Sequence, residues 1–557
     1  MLRKIVSGLV LITVLVGMLT FTFNIQLLRA SGTIYIRADG SVEGTDKIQR
    51  DGDIYTFIDN IYDSIVVERD DIVVDGAGYT LQGMPQSTGI TLEVRNNVTI
   101  KNVEIKEFQF GILLLFSSMC HMLRNTLTLC FEYGIGLVSS SGNRIYGNNI
   151  TRNDNGIFSS DSSDNNIFQN NVTTNGLLSI WLRDSSNNTI SGNNIKDNYY
   201  GMHLWRCPDN LISGNHITNN HFGIDLYKSS NNTISGNNIT DNDHCINLIS
   251  TNQNEISYNS ILNNYLGIGG NESQSNLIHN NILANNSIGL RLTNSNNTEI
   301  RSNIITQSKS IGIRLESSSE VMRSFDNIVT ENVINFTKGT GLEIDYAITK
   351  TYHNNFIQNT NHAYVKLPAE TQNVWDDGYP SGGNYWGDYI VTDVRWGEDQ
   401  DLEGSDMIGD SPYMINERNK DRYPLTEPWP MSNCWYFEDD YVMAITSSSI
   451  KKFSFNKKVG EMSFNIATDT SDSCKVIISK RLLDGAFNFL IDNATSPCSI
   501  RWSSDFHMLN FTYSQGTHGV KILGEFVLRY DLNNDRKIDI KDIATIAKHY
   551  GEKAEDP

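Results

Sequence analysis

The sequence is short of three things, and each shortage excludes something. Its seven cysteines (Cys120, Cys130, Cys207, Cys245, Cys434, Cys474 and Cys498) contain no Cys-x-x-Cys pair, which removes support for zinc and thiol-redox sites. Basic residues are scarce: 44 Lys and Arg stand against 64 Asp and Glu, a formal net charge of −20. That balance argues against nucleic acid and anionic membrane surfaces, and suits a soluble exported protein or one that takes up cations. Beyond Phe23 there is no further apolar stretch of ~18 residues, so the remainder is expected outside the membrane. The one long apolar run, Ile5–Phe23, follows Leu2, Arg3 and Lys4. A short basic stretch before an apolar one predicts a secretory signal over 1–30, cut after Ala30. The alternative is an uncleaved anchor, which is then the chain's contact with a membrane. An oxidising compartment permits disulfides, and Cys474 with Cys498 is a plausible pair. Cys120, Cys130, Cys207 and Cys245 are expected as small buried hydrophobes.

What is present in abundance is a repeat. The pattern Asn-x-Ile-x-x-Asn-x-Ile reads Asn232-Thr-Ile234-Ser-Gly-Asn237-Asn-Ile239, then Asn254-Glu-Ile256-Ser-Tyr-Asn259-Ser-Ile261. The first apolar anchors fall at Ile145, Ile167, Ile190, Ile212, Ile234, Ile256, Leu277 and Ile300, spaced by 21 to 23 residues, with a further coil at Val329. Each block also carries a Gly-apolar-x-apolar element, such as Gly201-Met-His-Leu204 and Gly223-Ile-Asp-Leu226. Short runs of period-2 alternation, punctuated by Asn, Gly and Ser, predict strands and turns and oppose helices. A leucine-rich repeat of similar length needs a leucine-dominated consensus, which is missing. The expected fold is therefore all-β, a right-handed parallel β-helix solenoid whose coils stack at about 4.8 Å. The column Asn148, Asn170, Asn193, Asn215, Asn237, Asn259, Asn280, Asn303 and Asn332 is read as structural. Asparagine tolerates left-handed corners and can hydrogen-bond along a ladder.

Composition shifts divide the chain. Residues 31–110 are predicted as an N-terminal cap with the first coils, and 111–345 as the repeats. Residues 346–430 form a C-terminal cap, in which the aromatics of Gly382-Gly-Asn-Tyr-Trp-Gly-Asp-Tyr389 close the core. The acidic run after it (Asp399, Asp401, Glu403, Asp406, Asp410) is either a calcium loop or a solvated one. Alternation over 431–527 predicts a small β-sandwich. Residues 528–557 hold a loop and a short helix. Asp531, Asn533, Asp535, Lys537 (through its carbonyl), Asp539 and Asp542 sit at EF-hand-like loop spacing, so calcium is the expected cofactor. Arg536 replaces the usual sixth-position Gly, and the twelfth position is Asp rather than Glu.

These residues resemble the NosD-like group of right-handed β-helix proteins, also described as carbohydrate-binding and sugar-hydrolase domains. From Thr33 to about Pro428 the chain is similar to exported archaeal members, including the Gly-Gly-Asn-Tyr-Trp-Gly-Asp-Tyr element and its Asp-rich loop. The last segment resembles half of a type I dockerin, whose family binds calcium and docks onto cohesins. Dockerins carry two such loops and this sequence shows one, which puts a cohesin-like partner in doubt. NosD itself is linked to a copper centre, yet no copper ligands carry over, because the eleven histidines are scattered.

The x of each Gly-apolar-x-apolar element should face outward, stacking Phe158, Trp181, His203, Asp225, Asn247, Gly269, Arg291, Arg314 and Glu343 into one column. Trp205 and Tyr227 lie two residues further along. Trp181, Trp205 and Tyr227 are the candidate carbohydrate-binding residues, and His203, Asp225, Arg291 and Arg314 the catalytic candidates, as acid, base or charge stabiliser. Pectate-lyase-like enzymes use such a face. Two readings stay open: a secreted or cell-surface module that binds glycans or other surface partners, and a polysaccharide lyase, hydrolase or epimerase. An ordinary solvated strand face is the bland alternative to both.

Overall fold

In a computed structural model the described residues are 32–526, apart from 319–323, 367–371, 380, 405–406, 430–432, 438–439, 447, 481 and 503–505. The signal segment and the loop Asp531–Asp542 lie outside them. The described residues are all-β: a right-handed parallel β-helix of about 14 turns followed by antiparallel sheets, with no helix among them. By compactness the chain divides into two units, 1–162 and 163–557.

In the first unit, front strands Ile34–Ile36, Ile65–Val67, Thr88–Glu93, Phe110–Leu115, Tyr133–Val138 and Asn155–Ser160 pair in parallel. The short strand Val42–Glu43 pairs antiparallel with the first of them. In the second unit one coil shows the plan. A six-residue front strand, Tyr200–Trp205, is followed by two three-residue strands, Leu211–Ser213 and His216–Thr218. The front strands run in parallel register from Leu178–Arg183 to Asn361–Lys366.

The apolar ladder is Ile212, Ile234, Ile256, Ile278, Ile300 and Val329, each paired with the next. Leu277, expected as an anchor, is instead the outward neighbour of buried Ile278. From Ile256 to Ile278 and from Ile278 to Ile300 the spacing is 22 residues. The asparagine column shifts in the same way, and its member is Asn281 rather than Asn280. Sequence spacing alone could not choose, because Leu and Ile, and two successive asparagines, offer the pattern twice.

The column is a hydrogen-bond ladder. The Asn215 side chain accepts from the backbone N–H and amide of Asn193, both at 3.0 Å, and donates to the Ile190 carbonyl and to Asn237 Oδ1, both at 2.9 Å. Two further ladders of the same kind, Asn188–Asn210–Asn232–Asn254–Asn276 and Asn198–Asn220–Asn242–Asn264–Asn286, run at other corners. The left-handed backbone falls on the residue before the first ladder's asparagine: Gly192, Gly214, Gly236, Tyr258, Asn280 and Ser302 have φ between 53° and 65°. Ladder asparagines are thus held by their amides, and conformational tolerance is the task of their neighbours.

At the far end, Trp386 pairs beside Phe356 and its ring stacks on Phe356 at 4.5 Å and Tyr413 at 4.2 Å. Its indole N–H donates to fully buried Asp421 at 2.9 Å, so aromatics cover this end of the core. Residues 433–526 form two five-stranded antiparallel sheets whose buried residues join one apolar cluster. Cys474 and Cys498 are free thiols. Cys474 pairs with Phe511 and Ser499 with Asn510 on the same strand. That strand lies between the two cysteines and holds their backbones roughly two strand spacings, ~9.6 Å, apart. A disulfide spans at most about 7 Å between Cα atoms, so the expected pairing is corrected.

Candidate functional site

Strict alternation along Tyr200–Trp205 would bury Tyr200 with Met202 and Leu204. It does not, because Gly201 and Met202 are both buried and the strand skips a register place between them. A Cβ on Gly201 would lie 2.5 Å from the Gly223 carbonyl oxygen, so this coil takes glycine there, as small Ser179 and Cys245 take the same inward place in nearby coils. The consequence is a front face with three outward rows per coil rather than two: Tyr200, His203 and Trp205, then Phe222, Asp225 and Tyr227, then His244, Asn247 and Ile249.

The first row is aromatic. Tyr200 stacks on Phe222 at 4.8 Å, and Phe222 on His244 at 5.2 Å. Tyr199 and Tyr265, both exposed, flank it against His221 and His244. The His221 Nδ1 lies 2.5 Å from Asp243. Burial holds the His244 imidazole below the ordinary histidine range, and burial with the nearby Asp225 charge pushes the Tyr200 hydroxyl up to about 12.

The second row is a hydrogen-bonded chain. Asp225 is 4% exposed. One oxygen meets His203 Nδ1 at 2.7 Å and the other accepts from the Asn247 amide at 2.7 Å. A carboxylate on Nδ1 fixes the neutral imidazole with its proton there and its lone pair on Nε2. The ring of Tyr200 packs 5.3 Å from His203.

Further along, charge is self-compensated. Glu316 meets Arg291 Nε at 2.7 Å and its Nη2, Arg314 Nε at 2.7 Å, and the Thr293 hydroxyl at 3.0 Å. Arg314 Nη2 lies 3.5 Å from Glu343. In the third row, the guanidiniums of Arg183 and Arg206 sit over the Trp205 ring at 5.8 and 5.0 Å, and both approach Asp184.

Of the catalytic candidates, His203 and Asp225 are brought into contact. Arg291 and Arg314 form a separate cluster, with Asn247 and Gly269 between Asp225 and Arg291 in the register. Trp181 pairs with His203, and Trp205 with Tyr227, on the same face. Tyr199, Tyr200, Phe222, His244, Tyr265 and Glu316 were missed. The signal was an aromatic or His immediately before the inward Gly or Cys, hidden by counting in twos.

A half-buried aromatic strip beside an oriented histidine–carboxylate pair lies on the front sheet of a right-handed parallel β-helix. The family described as "Periplasmic copper-binding protein (NosD)" matches residues 31–204, 178–305 and 271–390. These spans together run from 31 to 390, more than half of the 557 residues, and the chain belongs to the NosD family. No curated protein sequence matches it. Among solved structures it is similar to a point mutant of the periplasmic alginate epimerase AlgG, at 14% identity and TM-score 0.41, covering 60% of this chain and 84% of that one. It is similar to the Azotobacter vinelandii mannuronan C-5 epimerase AlgE6 A-module, at 12% identity and TM-score 0.32, covering 56% and 89%. It is also similar to DFA-IIIase from Arthrobacter chlorophenolicus A6 in complex with GF2, at 11% identity and TM-score 0.34, covering 52% and 83%.

The family description names copper, so its fit is tested on the residues. Among the described residues no three of His, Cys, Asp and Glu converge on a point. Cys120, Cys130 and Cys207 are buried, and burial pushes their thiols up to about 11, 12 and 12, which keeps them protonated. These residues do not fit a copper centre.

Proposed function

We propose that the protein is an exported, periplasmic or extracellular β-helix protein that binds a saccharide chain along its front face. The observation that carries this is the aromatic row Tyr200–Phe222–His244 lying parallel to the hydrogen-bonded row His203–Asp225–Asn247. The stacked rings turn their edges outward as an apolar ridge for the C–H groups of sugars, and the His203 imidazole and Asn247 amide, oriented by Asp225, take their hydroxyls. Trp181, Trp205 and Tyr227 extend the strip. Export is supported by the family's periplasmic description and by the basic-then-apolar N-terminal sequence. The test is a glycan array with the purified chain and its Tyr200→Ala/Phe222→Ala variant. Wild type is expected to retain glycans that the variant loses, and a blank wild-type array refutes the reading.

A second reading is favoured by one observation, the orientation of His203 by a buried carboxylate whose other oxygen is already held. That arrangement suits a general base, so the face can serve a polysaccharide lyase, hydrolase or epimerase. His203→Ala and Asp225→Ala should then abolish product release from a polysaccharide panel, and absence of products from wild type removes this reading. The C-terminal region is proposed as a β-sandwich followed by a calcium loop built from Asp531, Asn533, Asp535, Lys537, Asp539 and Asp542. Calorimetry with the full chain checks it, and no Ca²⁺ uptake disproves it. A cohesin-like partner and attachment to the cell surface remain proposals on the dockerin resemblance.

A further inference from the structure

We propose that Glu316 sets the ligand class of the front face, making it a site for neutral rather than acidic saccharides. The inference rests on the saccharide-binding reading above and names its substrate class.

Glu316 is 6% exposed and spans two coils. One oxygen faces Arg291 and the Thr293 hydroxyl, and the other faces Arg314. The Nε–Nη2 edge of Arg291 is one of its two carboxylate-recognising edges, and both of its N–H groups point at Glu316 Oε1. Arg314 turns its Nη2 toward Glu343 at 3.5 Å and Asp345 at 3.9 Å, and Asp345 lies 3.8 Å from Lys366. Three cations therefore meet three carboxylates, and the cluster carries no net charge. A uronate entering here meets guanidiniums whose charge a buried carboxylate already compensates, and pulling them away leaves that carboxylate buried and unpaired. A neutral sugar faces no such exchange. Its hydroxyls meet His203 and Asn247, and its C–H groups meet the outward edges of Tyr200 and Phe222, none of which requires an anion.

Sequence gives the opposite impression, since Arg291 and Arg314 in one column look like an anion site. Their partner stands in the next outward row and closes them from the side. Removing its charge while keeping its shape should turn the face around: Glu316→Gln releases Arg291 and leaves the cluster with one net positive charge, Arg314 keeping Glu343 and Asp345.

The experiment is affinity electrophoresis and calorimetry of the full chain with inulin, xylan and soluble starch as neutral probes, and alginate and polygalacturonate as acidic ones, at low and high NaCl. Wild type should bind a neutral polymer with little salt dependence, and the acidic ones about tenfold or more weakly. E316Q should gain about tenfold for an acidic polymer at low salt, lose that gain at high salt, and keep its neutral ligand. Tighter, salt-sensitive wild-type binding to an acidic polymer overturns the proposal while leaving saccharide binding intact. So does a folded E316Q without the gain. Binding of no polymer by wild type overturns the saccharide reading itself. Where E316Q does not fold, the wild-type comparison decides the ligand class and Glu316→Ala takes its place in the test for the acidic gain.

Discussion

Replacing Asn237 by alanine should open the solenoid locally, and the size of the effect follows from its bonds. The Asn237 side chain accepts from the Asn215 backbone N–H at 3.0 Å and from its amide at 2.9 Å. It donates to the Ile212 carbonyl at 3.0 Å, the Ser235 carbonyl at 3.3 Å and Asn259 Oδ1 at 2.9 Å. All five bonds go at once, and Asn237 is 1% exposed, so water does not replace them. Each buried donor left without a partner costs about 1–3 kcal/mol. The Asn215 backbone N–H is one such donor, while its amide keeps the Ile190 and Ser213 carbonyls; with the lost bonds to Ile212, Ser235 and Asn259 added, the cost is roughly 3–4 kcal/mol. Stacked coils do not unfold as one unit, so the assay is native-state hydrogen exchange of peptides over 189–262. Protection there should fall by about two to three powers of ten, at 1.4 kcal/mol for each. Asn219→Ala is the control. Asn219 is exposed, has φ 54° and donates only at the surface, to Asp197, so its cost should be about 1 kcal/mol. A loss of protection at Asn237→Ala no larger than that of the control would refute the ladder as a source of stability.

Two further outcomes are expected. Gly201→Ala places a Cβ 2.5 Å from the Gly223 carbonyl oxygen, so it should lower stability by about 1–3 kcal/mol and turn Tyr200 out of line. Thermal unfolding with intrinsic tyrosine fluorescence reads both effects, and an unshifted melting temperature contradicts the need for glycine there. Burial holds the His353 imidazole below its ordinary range. The unfolded chain therefore takes up that proton first as pH falls, and stability is lost on acidification below about 6.5. His353→Phe should make urea unfolding less dependent on pH between 7 and 5, and an unchanged pH dependence rules out this cause.

Much of the fold was legible in sequence because a stacked coil imposes one-dimensional rules. An inward position meets its own counterpart above and below, so Ile212, Ile234 and Ile256 recur at the coil length, and the amide ladder repeats with them. The same logic placed the cap aromatics around Trp386 and put His203, Asp225 and Arg291 in one outward column. It failed where the pattern was degenerate, at Leu277-Ile278 and Asn280-Asn281, since only pairing with Ile256 and Ile300 selects the member that faces the core.

What the sequence alone determined is the coil: its length, its apolar ladder, its asparagine corners and the sheet on which any ligand face must lie. Tertiary structure decided what that face is. Small residues, Ser179, Gly201, Gly223 and Cys245, take the inward place because a neighbouring backbone oxygen leaves little room, and this turns Tyr200 and Phe222 outward to make the aromatic row. Glu316 reaches sideways between coils to two arginines, and a contact across rows leaves no period in the chain. Spacing records which residues stack. Which of their charges are already spent depends on distances between rows, and those exist only once the coils are wound.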